Sequence, residues 1–309
     1  MTEQVDLSYL AAHPEICRPQ AESLQRSIAW ETMTSRGIPG FKQYGSYFSL
    51  MWICGIVNPQ RANLIRSSYF WFRHIDDVAD GDKPLPKQYQ NKQEFLETKR
   101  ELIGQLFSQA SGPIYGDKED LLLADYYSTA KKLNVDLSRE SFAILDTIIL
   151  DEERARNRRV LSQEELNSYF YKLDLACGDG ALKLVGETFS SEELAMLSWA
   201  VRTWFNLRDF PKDLDSGIIN ISAQDIYLYN IDLDCIEGRP TVEQLMEYDP
   251  IKKWYGDQTK AGLNYLDYAR ADINRLPLKR ITRFALNSRF VQPAERAFNR
   301  YSQMLTASR

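Results

Sequence analysis

The sequence predicts an all-α protein. Apolar residues recur at spacings of three and four along almost the whole chain, and no sustained apolar–polar alternation indicates a strand. Proline and glycine clusters separate these periodic stretches, while no proline occurs between Pro113 and Pro211. We expect helices over residues 44–57, 60–80, 92–111, 118–132, 139–157, 163–187, 191–210, 242–272 and 277–306.

Length and composition favour one large domain over residues 1–309. The chain has 309 residues, 44% of them hydrophobic, and no linker, repeat or low-complexity segment divides it. The net charge of −5, without a long basic run, argues against a nucleic-acid partner. Two histidines and four scattered cysteines argue against a histidine metal centre, a zinc site or a disulfide framework. Carboxylates and tyrosines must therefore carry any chemistry.

The N-terminus predicts a cytoplasmic protein. It has neither the positive segment nor the apolar segment of a signal peptide. The longest apolar run, residues 47–57, is about half the roughly 20 residues that a membrane helix needs. A peripheral membrane contact that serves an apolar substrate stays open as an alternative.

The first acidic cluster places Tyr69, Arg73, Asp76 and Asp80 at spacings of four, three and four, so one helix would carry them on one stripe. Like charges at i and i+4 destabilise an isolated helix by roughly 0.2–0.5 kcal/mol, which favours a bound cation. Mg²⁺ prefers hard oxygen ligands and is usually held by one or two carboxylates plus substrate phosphates. The alternative is that Arg73 neutralises Asp76 or Asp77 at an exposed helix end, although the aromatic run around Tyr69 argues against full exposure.

The second cluster repeats this pattern with Asn206, Asp209 and Asp213, and Lys212 lies beside them as a candidate phosphate donor. Proline inside a helix removes a hydrogen bond, so we expect a kink or an end at Pro211 and a displaced Asp213. Two facing helices of this kind would hold a magnesium-bound diphosphate between them. The implied reaction is loss of diphosphate from a carbon that becomes a cation.

Two segments between the clusters allow two interpretations each. Tyr169 and Lys172 precede the small residues 176–181, which make room either for a ligand or for close helix packing. The charged run 151–159 is interpreted as a solvated helix end, and the alternative is that its basic half leans over a phosphate.

Three segments together resemble the squalene/phytoene synthase family. They read YFWFRHIDDVADGD, YFYKLDLACGDG and NLRDFPKDLDSGIINIS, and the resemblance covers about residues 44–222. It implies a single isoprenoid-synthase-type helical bundle around a central hydrophobic cavity. It also implies head-to-head coupling of two prenyl diphosphates to phytoene, squalene or dehydrosqualene, with NADPH used only by squalene producers.

The resemblance implies roles for seven candidate residues. Tyr69 and Tyr169 match tyrosines that line the reaction cavity and guide the cation. Asp76, Asp80, Asp209 and Asp213 match its metal ligands, and Arg73 matches an arginine near the diphosphate. The residues themselves add Asn206 as a further expected metal ligand and Lys172, Arg208 and Lys212 as further expected diphosphate ligands.

The chain departs from the family pattern around the second motif and the cavity wall. Phe205 stands where the family usually has an asparagine, and Asn206 follows one position later. The serines that the family has before the first helix pair are not clearly matched, and the nearest serines are Ser46 and Ser49. The other departures are Asp174-Leu175 for alanine-glycine, Pro211-Lys212 for glycine-acid and Ile218-Ile219-Asn220 for arginine-isoleucine-tyrosine.

These observations leave three functions. The leading one is Mg²⁺-dependent ionisation of an allylic prenyl diphosphate with prenyl transfer, by head-to-head coupling of two farnesyl or geranylgeranyl diphosphates. The runner-up, favoured by the altered second motif, is a terpene cyclase or a prenyltransferase to a small nucleophile. A non-catalytic helical lipid-binding protein is the third, and the complete set of four aspartates argues against it.

Overall fold

A computed structural model describes residues 4–35, 48, 51–52, 58–236 and 240–307, without the side chains of 35, 235 and 307. It confirms the all-α class, since one antiparallel pair of two-residue strands, β1 (Val5–Asp6) and β2 (Tyr115–Gly116), is the only sheet in these ranges. The helices are α1 (Leu7–Ala12), α2 (Pro14–Ser35), α3 (Pro59–Asp80), α4 (Lys92–Phe107), α5 (Leu121–Lys132), α6 (Ser138–Asn157), α7 (Gln163–Val185), α8 (Ala195–Ser216), α9 (Ala223–Tyr229), α10 (Val242–Leu245), α11 (Asp249–Arg275), α12 (Arg280–Leu286) and α13 (Gln292–Ala307).

The chain forms two compact units. Unit 1 comprises Met1–Ile149 and Lys183–Val185, and unit 2 comprises Leu150–Leu182 and Gly186–Arg309. The expectation of one domain stays a prediction, and each unit is described by itself.

Unit 1 is organised around α3 and α5, which pack against each other, while α1 and α2 pack on α5. Its core is apolar and includes Phe70, Trp71, Ile75 and Leu122. Helix α3 begins at Pro59 because Asn58 accepts a hydrogen bond from the Arg61 N–H and proline fits the first helical turn. It ends at Asp80, followed by Gly81 at a φ of +82°.

Unit 2 is organised around α8 and α11, and α13 packs on α11. Helix α8 continues through Pro211 to Ser216, so the predicted end at Pro211 is wrong. Gly217 follows at a φ of +86°, and a Cβ there would lie 2.5 Å from the Ala155 carbonyl oxygen, so that position requires glycine.

Most predicted helices agree with the structure within a few residues. Helices α1, α2 and α9 were not predicted, and the expected helix 242–272 is divided into α10 and α11, which begins at Asp249. The expected helix 277–306 is α12, a π-helical turn at Asn287–Val291 and α13. The expected helix 44–57 lies outside the described residues except for positions 48 and 51–52, and Ser46 and Ser49 lie outside them as well.

Among the described helices, none is both long and apolar enough to cross a lipid bilayer.

His74 should make unit 1 sensitive to acid. The ring is buried against Phe95 and makes no hydrogen bond to a described residue. Burial, with the nearby Lys83 and Lys99 adding to it, lowers the pKa of His74 to about 3. Because the unfolded chain binds this proton below about pH 6.5 and the folded chain does not, stability is lost as the pH falls from 6.5 towards 3.

We therefore expect the free energy of unfolding to fall by about 2 kcal/mol less between pH 7 and pH 5 in His74→Phe than in the wild-type protein. Urea unfolding at both pH values measures this difference. His13→Gln is the control and should retain it; an unchanged difference in His74→Phe would contradict the buried neutral imidazole.

Candidate functional site

The first acidic motif occupies the last turns of α3. Tyr69 is half-buried with its ring against Phe70, Asp76 is half-exposed and Asp80 is exposed. Asp77 is buried, so it lies in a different environment from Asp76 and Asp80. The predicted stripe of a tyrosine, an arginine and two carboxylates is thus carried by one helix of unit 1.

Arg73 connects the two neighbouring carboxylates of this motif. Its Nη1 donates to Asp76 Oδ2 at 3.1 Å, and its Nη2 lies 2.5 Å from Asp77 Oδ1. The pairing of Arg73 with Asp76 and Asp77 that the sequence left open is therefore observed, and only 18% of the Arg73 side chain is exposed against 40% of the Asp76 side chain. The ion pairs position Asp76 and neutralise Asp77, and a contact of Arg73 with diphosphate stays a prediction.

The second acidic motif occupies the end of α8. Asn206 lines a cavity, Asp209 is half-exposed, and Asp213 accepts a hydrogen bond from Asn220 Nδ2 at 3.0 Å. Burial, with the charge of Asp209 adding to it, raises the pKa of Asp213 to about 7. In the absence of a cation, this carboxyl group therefore carries a proton in a large share of molecules at neutral pH.

The basic candidates of unit 2 differ in their surroundings. Arg208 forms an ion pair with Asp209, with Nε to Oδ1 at 2.8 Å, and its guanidinium lies 4.5 Å from the Phe205 ring centroid. Lys172 is exposed and Lys212 is half-buried. Asp209 is thus partly neutralised by its own neighbour.

Both acidic motifs lie where helix electrostatics disfavour anions. Asp80 is in the last turn of α3 and Asp213 in the last turn of α8, and neither turn contains a basic residue. Carbonyl groups at a helix C-terminus carry partial negative charge, so carboxylates there are repelled and cations are stabilised. Lys92 Nζ donates to the Ala79 carbonyl at 2.6 Å and offsets part of this charge in α3.

The donor set fits a magnesium ion that substrate helps to hold. In the part of the chain that the structure describes, no three histidine, cysteine or acidic side chains converge closely enough to bind a metal by themselves. Mg²⁺ keeps several waters and is commonly bound by one or two carboxylates plus substrate phosphates. Pairs of carboxylates such as Asp76 with Asp80, and Asp209 with Asp213, match that mode.

A buried polar network connects Tyr169 with the second acidic motif. The Tyr169 hydroxyl donates to Asp151 Oδ2 at 2.6 Å, and Arg154 Nη1 donates to Asp151 Oδ1 at 3.2 Å. Arg154 Nη2 donates to Asn220 Oδ1 at 2.9 Å, and Asn220 in turn donates to Asp213. Burial and the charge of Asp151 raise the pKa of Tyr169 well above its ordinary value. Tyr169 therefore stays a neutral phenol whose orientation is fixed.

Arg154 corrects the interpretation of the charged run 151–159. Its side chain is fully buried, its guanidinium lies 4.9 Å from the Tyr169 ring centroid, and it also donates to the Ile219 carbonyl at 2.7 Å. The run is a solvated helix end only at its last residues, since residues 156–159 are exposed. The sequence does contain a signal for the ion pair of Arg154 with Asp151, because residues three apart lie on the same face of a helix.

Arg154→Met should lower the free energy of unfolding by about 2 kcal/mol, because it removes three hydrogen bonds of a buried guanidinium. Asp151 keeps partial exposure, which limits the cost of leaving it without Arg154. Arg156→Met is the matched control, since Arg156 is exposed and should cost less than about 0.5 kcal/mol. Denaturant unfolding measures both, and equal effects would contradict the network.

Unit 2 also contains a cavity of about 430 Å³. Its aromatic walls are Phe170, Trp199, Trp254 and Tyr265. Its hydrogen-bonding residues are Gln163, Asn167, Arg202, Thr203, Asn206, Asn220, Asp225 and Gln258. Sequence analysis found only Asn206 and Asn220 of these, because the others lie on helix faces that carry no motif.

The Asp174 carboxylate forms an ion pair with an arginine. Arg202 on α8 donates to Asp174 Oδ1 through Nε at 3.1 Å and also through Nη2, and its guanidinium lies 5.0 Å from the Phe170 ring centroid. Among the small residues 176–181, Gly178 allows close packing, since a Cβ at this position would lie 2.6 Å from the Ser191 Cβ.

The comparisons place the fold among known structures. The chain is similar in structure to squalene synthase HpnC from Alicyclobacillus acidocaldarius, with a TM-score of 0.59 and 16% sequence identity over 95% of this chain and 94% of that one. No protein-family model and no curated protein sequence matches the chain. The structural likeness shows that this chain has the helical fold of a squalene synthase, as the three segments led us to expect.

Proposed function

We propose that this protein is a magnesium-dependent enzyme that ionises an allylic prenyl diphosphate and transfers the prenyl group. The observation that carries the proposal is the combination of a squalene synthase fold with two carboxylate pairs, each near the C-terminal end of its helix. A bound cation would relieve the repulsion at both helix ends, and a diphosphate would complete its coordination.

Each candidate residue has a role in this proposal. Mg²⁺, when bound, supplies Lewis-acid stabilisation of the leaving diphosphate. Asp76 and Asp80 would hold Mg²⁺ in unit 1, and Asn206, Asp209 and Asp213 would hold Mg²⁺ in unit 2. The basic side chains of Arg73, Lys172, Arg208 and Lys212 would bind the diphosphate oxygens. The phenols of Tyr69 and Tyr169 would line the path of the carbocation and orient it.

Head-to-head coupling of two prenyl diphosphates stays the leading prediction for the reaction. One observation favours the runner-up, transfer to a small nucleophile: the cavity beside the second motif is rich in hydrogen-bonding groups. A prenyl chain there would cover amide groups without replacing their hydrogen bonds to water, at a cost of about 1–3 kcal/mol for each unsatisfied group.

Product analysis separates these reactions. Geranyl, farnesyl and geranylgeranyl diphosphates are incubated in turn with and without Mg²⁺, and both released diphosphate and extracted product are measured. A C30 or C40 hydrocarbon with two diphosphates released per molecule supports coupling. One diphosphate per cyclic product supports cyclisation, and release only with an added nucleophile supports transfer. NADPH dependence of a C30 product would indicate squalene formation.

The non-catalytic lipid-binding alternative makes a different prediction. A protein without the metal site would show no rise in melting temperature with Mg²⁺ and a prenyl diphosphate together. Our proposal requires a rise, because binding to the folded state stabilises it by RT ln(1 + [L]/Kd).

The cytoplasmic location and the peripheral membrane contact stay predictions. We expect Ile281 and Phe284 to make that contact, because both are more than 60% exposed and lie beside Lys279 and Arg280, which would attract anionic lipids. Phe284→Glu should reduce cosedimentation with phosphatidylserine vesicles severalfold, whereas Tyr227→Glu, at another exposed ring, should not. Equal loss in both variants, or no wild-type binding, would contradict this surface.

A further inference from the structure

The cavity of unit 2 contains polar groups that the protein leaves without partners. The side-chain amides of Asn206 and Gln258, the Tyr265 hydroxyl and the Trp199 indole N–H make no hydrogen bond to any described residue. All four side chains are half-buried, so water can satisfy these groups. An occupant that displaces this water must replace its hydrogen bonds, which favours a hydrogen-bonding molecule over a hydrocarbon.

Arg202 adds a donor without adding net charge. Both of its hydrogen bonds to Asp174 use Nε and Nη2, and Nη1 has no hydrogen-bond partner in the described chain. The other carboxylate of the wall, Asp225, accepts from Trp254 Nε1 at 3.2 Å. With Arg202 neutralised by Asp174 and with Asp225 still present, the cavity disfavours an anion.

We propose that this cavity binds a small, uncharged aromatic molecule that carries hydroxyl or amide groups. The four aromatic side chains of the wall suit a planar ring, and the unpartnered donors and acceptors suit its polar substituents. The cavity volume of about 430 Å³ is in the range of small-molecule sites.

The binding does not depend on catalysis, whereas the role of this molecule as prenyl acceptor rests on the proposed function. In that role its hydroxyl oxygen bonds to C1 of the prenyl group, the bond from C1 to the diphosphate oxygen breaks, and the hydroxyl proton goes to the released diphosphate. One ether and one diphosphate form for each prenyl group transferred.

Ligand-observed NMR with a matched fragment set tests the binding. One half of the set contains uncharged aromatic fragments with hydroxyl or amide groups, such as 4-hydroxybenzamide, and the other half contains the same rings with methyl groups. We expect saturation transfer for several polar fragments and for few methyl fragments. Gln258→Leu should weaken the polar fragments about tenfold, and Tyr265→Phe should weaken them severalfold.

Asn264→Leu, on an exposed position of the same helix, is the control and should leave binding unchanged. Melting temperatures establish that each variant is folded. Equal binding of both halves of the set, or polar binding that Gln258→Leu does not affect, would overturn the proposal. Diphosphate release from farnesyl diphosphate is measured in parallel, without fragment and with a polar fragment present: release without fragment binding refutes only this inference, and fragment binding with no release under either condition refutes only the proposed function.

Discussion

Replacing Asp80 with Ala should reduce Mg²⁺-dependent diphosphate release by at least about a hundredfold while the melting temperature stays within a few degrees of wild type. Asp80 is exposed at the end of α3, so its carboxylate contributes little to packing. Its removal relieves repulsion at the helix C-terminus and takes away one of two metal-binding carboxylates. Activity and stability should therefore change independently.

Asp82→Ala is the matched control for this experiment. Asp82 is also exposed, lies two residues further along and has the same charge, but it is outside the i, i+4 pair. We expect this variant to retain most of the activity. Full activity in Asp80→Ala, or equal loss in both variants, would refute the assignment of Asp80 to the metal.

Replacing Lys99 with Met should lower the free energy of unfolding by about 3–5 kcal/mol. Lys99 is fully buried, and its Nζ lies 2.6 Å from a carboxylate oxygen of Asp117 and 2.6 Å from one of Asp120. Burial alone would lower the pKa of Lys99, but the two carboxylates raise it above its ordinary value, so the lysine is charged. Without it the fully buried Asp120 carboxyl group has no cationic partner among the described residues, and it retains hydrogen bonds from Trp71 Nε1 and the Asp117 N–H.

Arg100→Met provides the control at the neighbouring position. Arg100 pairs with Asp146 at 2.7 Å, but both side chains are 50% exposed, and such pairs contribute about 0–1 kcal/mol. The double variant Lys99→Met with Asp120→Asn should recover part of the stability, because it removes the uncompensated charge. Denaturant unfolding of the four proteins measures these values, and similar losses for Lys99→Met and Arg100→Met would contradict the account.

The sequence predicts the helix class and the two acidic motifs because their signals are local. Helix periodicity and carboxylates four apart can both be recognised within one or two turns. Pro211 shows the limit of local rules: packing of α8 against α11 keeps the helix continuous where propensity alone predicts a kink or an end.

The surroundings of the motifs depend on contacts that no short segment reveals. Arg154 belongs to a run of nine residues that contains four arginines, and only tertiary packing distinguishes this buried arginine from its exposed neighbours. The pairing of Asp174 with Arg202 joins α7 to α8, and the wall of the cavity collects residues from α7, α8, α9 and α11. The residues of this cavity wall can be recognised from the fold of unit 2 and not from their spacing in the sequence.

The central claim is that the chain ionises an allylic diphosphate with magnesium. The most direct test is diphosphate release from farnesyl and geranylgeranyl diphosphates by the purified protein over a range of Mg²⁺ concentrations. We predict release that rises with Mg²⁺, is abolished by a chelator and is restored when Mg²⁺ is returned. Absence of release at every Mg²⁺ concentration, from a folded protein, with either diphosphate and both with and without an added small nucleophile, would contradict the claim.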